Sequence, residues 1–130
     1  MGRAINGTLG YPEPDVYQIL PQFAQGEDVS LTFALTSDSN PSSWVATQLT
    51  LIPEGKNYQG QLTLAGTISG VSSTGPPYVA TVAFALPAAT TAALGAGSAV
   101  WSASWTDSGN DSVLGSGEIG VVLPVNLLPW

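Results

Sequence analysis

The chain has 130 residues, enough for one domain that buries a core without metal or disulfide support, and it contains no cysteine. Its net charge of −7 rests on few groups: Arg3 and Lys56 are the only bases against nine carboxylates, and 8% of residues are charged. Two cations cannot make a phosphate-binding patch, and the acidic balance disfavours anionic membranes, so neither nucleic acid nor membrane is an expected partner. The solvent face must then be built mainly from Ser, Thr, Gln, Asn and Gly, well short of the usual charged quarter.

Residues 1–15 read as an extended N-terminal arm, held open by Pro12 and Pro14. Only Arg3 precedes an apolar stretch too weak for a signal peptide, and Asn6 stands where a myristoylation motif after Gly2 requires Ser or Thr. Val16 to Phe23 reads as an edge strand interrupted by Pro21, followed by a turn at 25–28. Val29, Leu31, Phe33 and Leu35 then alternate with polar residues, the period of two that marks a strand with one wet face. A loop at 37–43 leads to a strand over Trp44–Ile52, with Leu49 and Leu51 on one side. After a turn at 53–60, Gln61–Ser69 reads as one strand, with Gly66 as a bulge or a point of close approach.

From Tyr78 the pattern is strand, short helical link, strand, turn, strand. Val82, Phe84 and Leu86 share a face, as do Ala99, Trp101, Ala103 and Trp105, and later Ile119 and Val121. Ala88–Leu94 is the one helical stretch, started by Pro87 and stopped by Gly95 or Gly97. The fold expected is all-β: an immunoglobulin-like, two-sheet antiparallel sandwich of about seven strands spanning 16–122, with one short helical turn at 88–94.

For chemistry the sequence offers little. Histidine is absent, so the Ser–His and Cys–His pairs are missing, and no Gly-rich phosphate loop precedes a Lys. Nine scattered carboxylates give no pair to assign as acid and base, so no catalytic residue, cofactor or metal is expected and the chain is read as a non-enzyme. Asp107–Asp111 carries oxygen ligands of the kind calcium takes, but it lacks the twelve-residue loop pattern and reads as a hairpin turn. The tail Leu123–Trp130 has no charged side chain and needs a surface to lie on. Contacts with neighbours are expected at Tyr11 and Tyr17 near the N-terminal arm and at Leu127, Leu128 and Trp130 in the tail. An alternative is an extracellular carbohydrate- or cell-surface-binding module using Trp44, Tyr58 and Tyr78 at loop tips.

Several stretches carry a family resemblance: Gly26-x-Asp28-Val29-x-Leu31-x-Phe33-x-Leu35, Thr91-x-x-Leu94-x-x-Gly97, Trp105-Thr106-Asp107 and Val113-Leu114-x-x-Gly117-x-Ile119-x-Val121. Over residues 25–122 this is similar to small immunoglobulin-like sandwich domains of tailed-phage virions, such as the N-terminal domain of baseplate upper proteins and related tail, fibre-attachment and head-decoration domains. The resemblance implies a structural or adaptor subunit located in the virion, with other virion proteins and copies of itself as partners. It supplies no catalytic residues.

Overall fold

The computed structural model describes residues 2–41, 46–53, 62–94, 97–107 and 110–123. Among these residues, nine strands form two packed sheets and one short helix joins two of them. Strands β1 (Gly2–Tyr11), β3 (Asp28–Ser37), β7 (Tyr78–Leu86) and β6 (Thr67–Ser69) make a four-stranded sheet in the order β1-β3-β7-β6. Strands β2 (Gln18–Ala24), β9 (Asn110–Val122), β8 (Gly97–Asp107), β4 (Ala46–Pro53) and β5 (Leu62–Ala65) make a five-stranded sheet in the order β2-β9-β8-β4-β5.

The alternation read from the sequence fills the space between the sheets. Val29, Leu31, Phe33 and Leu35 of β3 and Val82, Phe84 and Leu86 of β7 meet Leu49 and Leu51 of β4 and Trp101 and Trp105 of β8, all buried. Trp101 is fully enclosed, its ring 5.1 Å from Phe33 across the sandwich, while Phe33 and Phe84 pack edge to face at 5.9 Å. Ala99 and Ala103 flank it, the small-large alternation that lets two inner faces interdigitate.

The N-terminal segment departs from expectation. Gly2–Tyr11, read as an arm, is strand β1 and pairs in parallel with β3 from Gly2↔Asp28 to Tyr11↔Ser37. Ile5 and Leu9 are buried, and Gly7 between them also faces inward, where a Cβ would lie 2.7 Å from the Phe33 ring. The strand keeps its period of two, but its middle member is a glycine because Phe33 occupies the space. The all-β, two-sheet sandwich expected is what forms, but nine strands among the described residues replace the roughly seven expected, and two pairs, β1 with β3 and β2 with β9, are parallel. Both follow from β2, which takes the chain into the opposite sheet between β1 and β3, so β3 returns in the direction of β1.

The single strand expected over 61–69 is two. β5 belongs to the five-stranded sheet and β6 to the four-stranded one, and Gly66 is the crossing point. Close approach explains its identity: a Cβ there would run into the Phe84 ring and stand 2.9 Å from Thr47 Oγ1. Pro21 produces the expected irregularity as a shift of register between Leu20 and Phe23 in the β2–β9 pairing.

Helix α1 (Ala88–Ala93) is the short link foreseen after Pro87. Its buried Thr91 hydroxyl donates to the Glu27 carbonyl at 2.7 Å and accepts the Gly26 N–H at 3.0 Å. Ala88 N–H donates to Asp28 Oδ1 at 2.8 Å, and the Gln25 side chain donates to the Leu94 carbonyl. The link therefore seals the end of the sandwich at the β2–β3 turn rather than standing on its own stability. At the opposite end, β8 and β9 pair as far as Asp107↔Asn110, as a hairpin requires. No helix among the described residues is long and apolar enough to cross a membrane.

Candidate docking surfaces

A domain with so few charges must place them somewhere, and the register shows where. The acidic positions among the described residues fall at strand ends and turns along the chain, except Glu118, which stands mid-strand in β9. Glu13, Asp15, Asp38, Asp107 and Asp111 belong to the end where β1, β3 and β8 finish and β9 begins. Glu27, Asp28 and Arg3 belong to the other end, where the Arg3 guanidinium reaches the Glu27 carboxylate at 3.1 Å. The Ala24 N–H donating to Glu27 at 2.7 Å, with Arg3 beside it, holds that carboxyl below its ordinary value.

Between these ends lie two broad faces. On the outer face of the four-stranded sheet, Asn6, Thr32, Ala83 and Thr67 form one cross-strand row and Thr8, Ala34, Thr81 and Ser69 the next. These side chains are small and uncharged, and Val79 is the large apolar residue exposed there. A shallow groove of about 560 Å³ opens at the edge of this face. Thr8, Gly10, Ala34 and Thr36 form its floor, and the loop Pro12–Asp15 forms its wall, folded so closely that a Cβ on Gly10 would meet the Glu13 carbonyl at 2.7 Å.

The outer face of the five-stranded sheet differs. Ser116, Ser102, Thr50 and Thr63 make a hydroxyl row, and beside it runs Ile19, Glu118, Val100 and Ile52 across β2, β9, β8 and β4. Ile19 is 78% exposed, and Val100 and Val113 are also exposed. Tyr17 and Val16, just before β2, are 57% and 74% exposed. The Glu118 carboxylate beside Tyr17 favours the protonated hydroxyl and raises the phenol above its ordinary value.

Of the contact residues expected from sequence, Tyr17 is therefore on the surface. Tyr11 is half-buried instead, its ring edge-on to Trp105 at 5.3 Å, and its carbonyl accepts the Asp38 N–H at 3.1 Å. It closes the acidic end of the core because β1 is a strand rather than an arm. Leu127, Leu128 and Trp130 lie outside the described residues, as do Trp44 and Tyr58. Tyr78 is half-buried and covers Gly75, where a Cβ would lie 2.7 Å from its ring. Sequence reading overlooked Val16, Ile19, Val100 and Glu118. The signal for Val100 was available, since a residue next to inward Ala99 and Trp101 must face out.

No protein-family model matches the chain, and no curated protein matches its sequence. Among solved structures it is similar to the N-terminal domain of phage TP901-1 ORF48, with 11% sequence identity and a TM-score of 0.51. The likeness covers 90% of this chain and 98% of that one. At this identity what the two share is the fold, a two-sheet β-sandwich also found in a phage protein.

Proposed function

We propose that the chain is a non-enzymatic structural or adaptor subunit of a phage-like particle, located in the virion in its tail or baseplate and held there by contacts with neighbouring proteins. The observation that carries this reading is the end-to-end fold likeness to the phage TP901-1 ORF48 N-terminal domain. The distribution of charge supports it. Among the described residues, the two sheet faces carry a single mid-strand carboxylate, Glu118, and so make broad surfaces that bury against protein at little desolvation cost. The direct test is to band intact particles from the source on a density gradient and probe them with an antibody to this chain. Co-migration with the particles, at a fixed ratio to a major structural protein through a second gradient, is the expected result. A chain left wholly in the soluble fraction would overturn the reading.

A further inference from the structure

Glu118 stands in a setting that the acids at the ends of the sandwich do not share. It lies mid-strand in one cross-strand row between Ile19 of β2 and Val100 of β8, and Ile52 of β4 continues that row. Ile19 and Val100 are exposed, and Glu118 between them is half-buried. The neighbouring outward positions along β9 are Ser116 and Gly120, too small to cover the carboxylate. Tyr17, also exposed, stands near enough for that negative charge to disfavour ionisation of its phenol. Glu27, by contrast, already holds Arg3, and Asp15 and Asp28 accept backbone N–H groups at turns.

We infer that the outer face of the five-stranded sheet docks a different protein, through an apolar patch that sets an arginine against Glu118. The row makes two demands on whatever covers it. Covering Ile19 and Val100 removes apolar surface from water and favours association. The same cover strips water from Glu118, and a neutral partner would leave that carboxylate buried without compensation. A cation within an apolar surround satisfies both. Arginine suits the place better than lysine, because a guanidinium is planar, weakly hydrated and stacks on aromatic rings, here the exposed ring of Tyr17. A second copy of this chain is poorly equipped for the part. It has two bases against nine carboxylates, and its one arginine, Arg3, is held by Glu27 on the other sheet. A net charge of −7 sets copies against one another and draws in a basic protein instead.

This inference rests on the reading of the chain as a particle subunit, and its test separates the two. Cells making the particle would be supplied with native, Glu118→Gln, Glu118→Lys and Asp38→Asn chains in equal amounts, and their ratio in gradient-purified particles measured by mass spectrometry. Glu118→Gln should be depleted at least about tenfold against the native chain, because the partner's arginine loses its counter-charge. Glu118→Lys should be depleted further, since it opposes like charges. Asp38→Asn removes one negative charge at the end of the sandwich and should match the native chain. Glu118→Gln at parity with the native chain, Glu118→Lys incorporated as well as Glu118→Gln, or Asp38→Asn depleted as much as either would overturn the inference and leave the particle reading standing. Absence of the native chain from particles would remove both. Sedimentation velocity of the native chain alone should show a monomer up to high micromolar concentration. A dimer that Glu118→Gln dissolves would make a second copy the occupant and overturn the choice of partner.

Discussion

The two outer faces of the sandwich are built from the same kind of strand and differ in what they offer a partner. The four-stranded sheet shows Ala, Ser, Thr and Asn in rows with Val79 as its exposed large apolar residue among those described, and Gln18 caps its β1 edge at Thr8. The five-stranded sheet shows Tyr17, Ile19, Val100 and Val113 around Glu118. Both carry few charges, Glu118 being the carboxylate described on the five-stranded face, and that lowers the cost of burying either. Exposed branched and aromatic side chains are more numerous, among the described residues, on the five-stranded face, the kind of surface on which a partner could gain most.

The comparison implies that core and surface variants separate cleanly. The largest effect is expected from Trp101→Ala, which removes a fully buried ring under both sheets and should cost about 3–5 kcal/mol in denaturant unfolding. It should unfold the domain without favouring one face. Gly66→Ala comes next, because a methyl at the crossing between sheets meets Phe84. Overpacking of that kind costs about 1–3 kcal/mol, seen as a lower midpoint in the same melt. Gln18→Ala sharpens the contrast between edges. It should cost about 1 kcal/mol, and faster hydrogen exchange should be confined to β1 near Thr8. The smallest effect concerns the end of the sandwich rather than either face. Glu27 has a lowered pKa in the folded chain, so its contribution is present above the ordinary carboxylate value of 4.5 and is lost as pH falls through the folded value. Glu27→Gln should flatten that acid limb in melts followed against pH, leaving stability above neutrality changing little with pH.

How much of this was legible depended on which contacts set each element. β3, β7 and β8 were readable because inward residues of adequate size recur every second position, so local pattern and burial agree. β1 was not, since its inward row is Ile5, Gly7, Leu9 and the glycine makes sense only once Phe33 is seen filling its space. Gly66 was recognised as a close approach, but its change of sheet depends on pairing partners distant in sequence. Of the exposed large side chains, Tyr17 was named from the sequence, whereas Ile19 was hidden by the register shift. With Leu20 and Phe23 both inward, three positions apart, β2 has no clean alternation from which to assign its outer side.

The most direct test of the contrast between faces is competitive incorporation into particles. Cells making the particle would be supplied with equal amounts of Ile19→Lys and Val79→Lys chains, and the ratio in gradient-purified particles measured by mass spectrometry. Strong depletion of Ile19→Lys relative to Val79→Lys is the result predicted. Equal incorporation of the two, or depletion of Val79→Lys instead, would contradict the assignment of docking to the five-stranded sheet.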